Sequence, residues 1–120
     1  MGAWTGKRLE DRFPVMVIQL HPKSRGTVTL RSADPRDKPR IALNLLSHAD
    51  DYADLRRGIA AVRRVVAAEP LAAMVSRETK PGEAARDDAA LDAFIRDNLR
   101  VTQHPSAPAR WARSPTRSSG

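Results

Sequence analysis

The fold class follows from residues 15–30, which read VMVIQLHPKSRGTVTL. Residues 15–20 form an apolar, β-branched run flanked by prolines, which is too short for an ordinary helix and typical of a strand buried on both faces. Turn-forming residues follow at 22–26, and residues 27–31 then alternate polar with apolar side chains, as a half-buried strand does. The stretch therefore predicts a β-hairpin made of residues 15–20 and 27–31.

A third strand is predicted from the two-residue spacing of Ile41 and Leu43, which follow a polar connection. Pro39 lacks a backbone N–H and stands just before them, and this favours a position at the edge of a sheet. Together with the hairpin, this segment predicts a small, mainly antiparallel sheet.

The second half of the chain carries two helical patterns. Ser47 and Asp50 resemble a capping box, and apolar residues then recur at intervals of three and four until Pro70 ends the pattern. Asp87 or Asp88 caps the second helix. The two apolar stripes consist of Tyr52, Leu55, Ile59, Val62 and Val66 in the first helix and of Leu91, Phe94, Ile95 and Leu99 in the second.

The segment between the two helices is less regular. Residues 70–76 predict a short helical turn, and residues 78–86, which include Pro81 and Gly82, predict a loop. Strands that precede helices, without alternation, are the pattern of an α+β domain. We expect the small sheet to pack with the two main helices.

The two ends of the chain differ from its body. Residues 1–13 combine glycines with mixed charges and show no sustained periodicity, so we expect an irregular lead-in. Residues 106–120 are rich in Pro, Ser, Ala and Arg, a composition that buries too little apolar surface to offset the entropy of ordering. This predicts a disordered tail and leaves residues 14–105 as the body of the domain.

Composition excludes several classes of protein. At 120 residues the chain suits one modest domain, and the absence of cysteine excludes a disulfide framework and thiolate metal sites. The histidines, His21, His48 and His104, are too far apart for metal-ligand spacing, and no glycine-rich phosphate loop occurs. Apolar runs are too short for a membrane span, so we expect a cytoplasmic protein that binds neither metal nor membrane.

The net charge of +7 raises the question of an anionic partner. The basic candidates on the first predicted helix are Arg56, Arg57, Arg63 and Arg64. Such residues more often form a solvated helix face than a phosphate site, and only 4% of residues are aromatic, so we do not expect nucleic acid as a partner. The alternative function is a stand-alone basic module that binds nucleic acid or anionic surfaces through this helix and the arginine-bearing tail.

Other charged residues give little indication of chemistry by their type. Asp50, Asp51 and Asp54 cluster where the first helix begins, and we expect them to support its dipole and its cap rather than to catalyse a reaction. His104 stands alone before Pro105, as many loop histidines do. Composition and spacing therefore leave the function open.

Four phrases occur in order along the first half of the chain: LHPKSRGTVTL at 20–30, SADP at 32–35, PRI at 39–41 and NLLS at 44–47. In order and spacing they resemble the opening of the C-terminal, substrate-side domain of the glucose-methanol-choline (GMC) oxidoreductases, most closely the choline-dehydrogenase-like branch. His21 stands where that branch usually has an arginine. The resemblance continues through both helices to TQHP at 102–105.

The resemblance implies a function. Members of the family are FAD-dependent flavoproteins that oxidise an alcohol, and a separate N-terminal domain with a glycine fingerprint holds the flavin. This chain shows no such fingerprint, so we expect no cofactor-binding residue and no FAD bound to the chain alone. In the family, the histidine of a His-Pro-x-Gly-Thr phrase acts on the substrate hydroxyl proton, and His104 matches that histidine. The implied partners are a small alcohol and the missing flavin domain or a complementary chain.

The family pattern changes after His104. The phrase Gly-Thr-x-x-Met-Gly is replaced by APARWA at 107–112, and the second catalytic histidine or asparagine has no counterpart. One hypothesis is a one-nucleotide deletion near the codon of Ala107, which shifts the reading frame. The resemblance therefore predicts a fragment of an FAD-dependent alcohol oxidoreductase, inactive alone, with His104 as its catalytic residue.

Overall fold

The computed structural model describes residues 12–102 and the backbone of residues 109–111. The fold class is α+β as expected, and the elements follow the predicted order except that no strand forms at residues 15–20 and one strand occurs near the C-terminus. The strands are β1 (Gly26–Thr29), β2 (Arg40–Ala42) and β3 (Ala109–Trp111). The helices are α1 (Ala49–Val66), α2 (Leu71–Met74) and α3 (Asp88–Asn98).

The sheet has the strand order β2-β1-β3, so the middle strand is β1. It pairs antiparallel with β2, with Val28 opposite Ile41, which confirms an edge strand after Pro39. The predicted hairpin partner at 15–20 is wrong, because these residues form no strand. The physical reason lies in the connection: the backbone amides of Lys23 and Ser24 are bonded to a carboxylate of α1, so the preceding residues run along that helix instead of beside β1.

The tail contributes one element that its composition does not predict. The backbone of Ala109–Trp111 forms β3 and pairs parallel with β1, with Gly26 opposite Ala109 and Val28 opposite Trp111. The composition of the tail gives no sign of this strand. Strand pairing uses backbone donors and acceptors that every residue except proline carries in full, so it does not require an apolar sequence. The rest of the tail, and residues 1–11 of the predicted lead-in, lie outside the described residues.

The helices agree with the periodicity of the sequence. α1 begins one residue later than the predicted cap implies, because the N-cap is His48, whose Nδ1 accepts the backbone N–H of Asp50 at 3.2 Å, and not Ser47. An imidazole nitrogen can accept an orphan N–H just as a hydroxyl can. α2 occupies the predicted short turn, and Asp87 caps α3 by accepting the N–H of Ala90 at 2.8 Å, as expected.

The buried apolar core is small and lies between the helices. Among residues 12–102 its members are Leu55 of α1, Ala85 of the loop before α3, and Leu91 and Ile95 of α3. Strands contact strands and helices contact helices, so the expected packing of the sheet with the helices is replaced by a junction through the loop at Lys23 and Ser24. Within the described residues, no helix combines the length and the apolar character needed to cross a membrane.

The fold makes a first prediction about Gly26. This residue is buried, and a Cβ here would overlap the carbonyl oxygen of Ala42 and lie 2.8 Å from that of Leu43. Because both obstacles are backbone atoms, Gly26→Ala forces β1 away from β2, and we expect the free energy of unfolding to fall by about 1–3 kcal/mol. Urea denaturation followed by circular dichroism measures the change.

The matched control is Thr27→Ala, at the exposed neighbouring position of the same strand. We expect it to change the free energy of unfolding by no more than about 0.5 kcal/mol. Equal midpoints for the two variants would show that the close approach of β1 and β2 at Gly26 does not limit stability.

Candidate functional site

Asp51 is the most buried charged residue of the described chain, with 1% of its surface exposed. It lies in the first turn of α1, and its carboxylate accepts the backbone N–H groups of Lys23 at 2.7 Å and Ser24 at 2.9 Å. The Ser24 hydroxyl also donates to it, and Gln19 Nε2 donates at 3.0 Å. One carboxylate thereby fixes the loop before β1 onto the start of α1.

The hydrogen bonds decide the charge state of Asp51. Burial by itself raises the pKa of this carboxyl, but the donors from Ser24, Lys23 and Gln19 together outweigh it and hold the pKa below its usual range. Asp50 beside it is half exposed, and the hydrogen bond and the charge of Lys23 lower its pKa. Both groups are therefore carboxylates at neutral pH.

The loop phrase PKSRG at 22–26 is held from several sides. Ser24 Oγ accepts the backbone N–H of His48 at 3.2 Å, and Arg25 Nη1 donates to the carbonyl oxygens of Pro22 at 2.6 Å and Ser24 at 2.9 Å. Asn44 Nδ2 donates to the Arg25 carbonyl at 3.1 Å. These contacts give the PKSRG loop a structural role. The sequence alone does not reveal this role, because it predicts only that Asp50 and Asp51 support the dipole and the cap of α1.

The arginines of α1 serve mainly as ion-pair partners. Arg56 joins α1 to α3, because Nη1 lies 2.6 Å from Asp92 Oδ1 and Nη2 lies 3.4 Å from Asp88 Oδ2. Arg57 pairs with Asp54 of its own helix. For these guanidinium groups to bind phosphate, their ion pairs with the carboxylates would first have to break.

Arg63 extends the same arrangement to the loop before α3. Its Nε lies 3.1 Å from Glu78 Oε2, and Nη2 donates to the Ala85 carbonyl at 3.0 Å. Arg64, by contrast, is exposed. The helix therefore carries arginines whose charge is largely balanced within the fold.

The histidines are not brought together by the described residues. His48 is the cap of α1, His21 is exposed, and the predicted catalytic residue His104 lies outside the described residues. Among residues 12–102, no group of three or more histidines and carboxylates is placed to hold a metal ion.

A cleft of about 1150 Å³, lined mainly by apolar side chains, lies beside α1. Its walls are the segment before the PKSRG loop, one face of α1, residues 74–81 and the end of α3. The apolar side chains along it include Phe13, Val15, Leu55, Ile59, Val62 and Phe94. Along α1 the cleft is lined by members of the apolar stripe that the sequence pattern predicts.

Comparison with known proteins agrees with the resemblance carried by the motifs. The sequence profile for the C-terminal part of the family described as GMC oxidoreductase matches residues 22–119. The chain belongs to the GMC oxidoreductase family. The match includes His104 and extends past residue 105, where the quoted motifs of this GMC chain end.

Curated relatives of this GMC chain carry the name oxygen-dependent choline dehydrogenase. The protein of Stenotrophomonas maltophilia strain K279a is 38% identical over 94 residues, which are 78% of this chain and 17% of the relative. The Ectopseudomonas mendocina protein is 37% identical over 101 residues, 84% of this chain and 18% of the relative. The Brucella ovis protein is 39% identical over 93 residues, 78% and 17% of the two chains. No solved structure matches the chain significantly.

The geometry around Asp51 predicts a pH-dependent stability. In Asp51→Asn, one carboxylate oxygen becomes an NH2 donor that faces other donors, so we expect the free energy of unfolding at pH 7 to fall by about 2–4 kcal/mol. Because the pKa of Asp51 is lower in the folded chain than in the unfolded chain, its stabilisation is complete above about pH 4 and is lost as the pH falls through the folded-state value. Urea titrations between pH 7 and pH 2.5 measure both effects.

Asp50→Asn is the control, because Asp50 is half exposed in its contact with Lys23. We expect little change in the urea midpoint at pH 7. If Asp51→Asn were as stable as Asp50→Asn, the carboxylate would not be the junction between the loop and α1.

The ion pairs of α1 predict unequal roles for adjacent arginines. Arg56 is only 23% exposed and bridges two helices, whereas Arg57 is 73% exposed and pairs within α1. We expect Arg56→Gln to lower the free energy of unfolding by about 1 kcal/mol and Arg57→Gln to lower it by less than about 0.5 kcal/mol. Thermal denaturation of the two variants tests this order, and a reversed order would contradict the bridging role of Arg56.

Proposed function

We propose that this chain is the substrate-side portion of a flavin-dependent alcohol oxidoreductase and that His104 is its catalytic residue. The observation that carries the proposal is the family match over residues 22–119, which includes His104 and the following Pro105. The order of the four motifs supports it. The whole enzyme requires polypeptide that this chain does not contain, since the chain spans 17% of the Stenotrophomonas relative.

The first turns of the two long helices do not favour a phosphate group. Phosphate groups are favoured at helix N-termini with free N–H groups and little negative charge. Here α1 begins with Asp50 and Asp51, and α3 begins with Asp87 and Asp88, so both long helices present carboxylates at these ends. The flavin, whose chemistry is to accept a hydride from the alcohol carbon, is therefore assigned to a domain outside this chain, and we expect the chain alone to be colourless and inactive.

His104 has the chemistry that the proposal needs. A neutral imidazole titrates near physiological pH and can take a hydroxyl proton as the carbon–hydrogen bond breaks. The residues after Pro105 differ from the Gly-Thr phrase of the family. The substrate is a small alcohol, and choline is the first to test because the curated relatives are named for it.

The proposal predicts the behaviour of a hybrid enzyme. This chain replaces the matching segment of the Stenotrophomonas maltophilia choline dehydrogenase, and the hybrid is assayed for flavin absorbance and for choline-dependent dye reduction. We expect His104→Gln to lower kcat by about a hundredfold or more while the flavin absorbance stays unchanged, because a positioned general base contributes at least this much.

The matched control is His21→Gln, at an exposed histidine in the loop before β1. We expect its turnover to equal that of the hybrid. A His104→Gln variant that turns over choline as fast as the control would refute the catalytic role. A hybrid that holds flavin but oxidises no alcohol, even with His104 intact, would refute the proposed activity of this portion.

A further inference from the structure

We propose that the outer edge of β2 binds a strand of another protein in which acidic side chains alternate with apolar ones. The added strand extends the sheet beyond β2, with its acidic side chains beside Arg40 and its apolar side chains beside Ile41. The proposal goes beyond the proposed function and does not rest on it, because neither His104 nor the flavin takes part in this contact.

The open edge of β2 is the first observation. β2 is a terminal strand of the sheet, and within the part of the chain that the structure describes no strand lies along its outer side. Its three residues are all exposed. Backbone groups along a strand point alternately to its two sides, so some N–H and C=O groups of β2 face away from β1. Such an edge is a template to which an extended peptide adds as a further strand.

The two faces of β2 differ in character. Arg40 stands opposite Thr29 and Ile41 stands opposite Val28, so the side chains of Arg40 and Ile41 lie on opposite faces of the sheet. Ile41 is 60% exposed, and Leu30, which follows β1, is 68% exposed. A strand placed beside β2 therefore meets a cation on one face and apolar surface on the other.

Two more cations stand at the same end of the sheet. The turn between β1 and β2 is closed by Ser32, whose hydroxyl donates to Asp37 Oδ2 at 2.5 Å. The residues next to this bonded pair are Arg31 and Lys38, so both cations stand at the mouth of the turn. Within the described chain, no ion pair includes Arg31, Lys38 or Arg40, and all three are exposed.

The positive charge at this end is not neutralised by the turn itself. Residues 31–40 contain four basic and two acidic residues. Asp34 forms an ion pair with Arg36 at 2.7 Å, and Asp37 accepts the Ser32 hydroxyl. Like charges on neighbouring positions of a strand pair repel each other, and a carboxylate placed beside them removes this repulsion. This end of the sheet therefore favours an anionic partner.

The open backbone favours a strand over other anionic partners. A nucleic acid does not supply the backbone groups that a sheet edge pairs with, and residues 26–42 contain no aromatic side chain on which a base could stack. The hydrocarbon of a membrane leaves the N–H and C=O groups of an edge unsatisfied. A second copy is disfavoured, because two β2 strands side by side bring their cations together. An acidic and apolar strand satisfies the backbone, the cations and Ile41 at once.

Binding of short peptides to the full chain tests the proposal. The probe is the labelled peptide Glu-Val-Glu-Val-Glu with blocked ends, and the control has the same composition in the order Val-Glu-Glu-Glu-Val. We expect the alternating peptide to bind about tenfold more tightly, because only this order separates charged and apolar side chains onto the two faces of a strand. Equal affinities, or no binding at millimolar peptide, would overturn the proposal.

Methylated peptides test the backbone contact. One version carries N-methyl groups on the valine amides and the other carries them on the glutamate amides, so each version blocks the donors along one edge of the peptide. Only one edge faces β2, so we expect one version to lose about tenfold in affinity and the other to bind like the parent peptide. Equal binding of all three peptides, or an equal loss for both versions, would contradict strand addition.

Charge reversal tests the contact with Arg40. We expect Arg40→Glu to lower the affinity for the alternating peptide by about tenfold and to bind Lys-Val-Lys-Val-Lys instead. The matched control is Arg64→Glu, which changes the net charge equally at an exposed position of α1 and leaves the affinity within about twofold. An equal loss for both variants would overturn the proposal. Circular dichroism verifies the fold, and Arg40→Gln replaces a variant that does not fold.

Hydrogen exchange locates the bound peptide. At saturating peptide we expect the β2 amides that point away from β1 to exchange at least about tenfold more slowly, while the amides of α3 are unchanged. Protection confined to other elements would overturn the proposal. Protection of β2 that grows with chain concentration in the absence of peptide would assign the edge to a second copy. Equal protection by a single-stranded oligonucleotide or by phosphatidylglycerol vesicles would assign it to another class of partner, and each of these results would also overturn the proposal.

Discussion

The contact between Asp51 and the backbone of Lys23 and Ser24 is the constraint on which the rest of the structure depends. The sheet and the helices do not pack face to face, so this carboxylate is the point where the β1 loop is joined to α1. Its charge is maintained in a buried place only because four donors surround it. The Ser24 hydroxyl extends the junction by accepting the N–H of His48, the residue that caps the same helix.

Local patterns predicted the local structure well. The three-and-four spacing from Tyr52 to Val66 predicted α1, and the cap at Asp87 predicted the start of α3. Both signals lie within a few residues of sequence, because a helix buries one face and its first turn is capped by a nearby side chain. The apolar run at 15–20 failed as a predictor of a paired strand. Its composition fits a strand, but pairing depends on a partner distant in sequence, and the hydrogen bonds of Asp51 direct the run along α1.

The candidate site was predictable to a smaller extent. The motifs and the family match identify His104, but no local pattern shows which carboxylates and arginines of α1 are used within the fold. Arg56 lies 2.6 Å from Asp92, and Arg63 lies 3.1 Å from Glu78. The partners in each pair are far apart in sequence, so a helical pattern does not predict them. The basic composition of the chain is therefore a weaker indication of an anionic partner than of the ion pairs that join the helices.

The small core and the open apolar surface have a common cause. A chain of this size buries a limited part of its surface, and here Leu55, Ala85, Leu91 and Ile95 are the buried residues among the described large apolar and alanine side chains. The α1 stripe is wider than this core, so part of it lines the cleft instead. The apolar residues of this stripe that stay partly exposed contribute less stabilisation than Leu55, because the hydrophobic contribution grows with the apolar area removed from water.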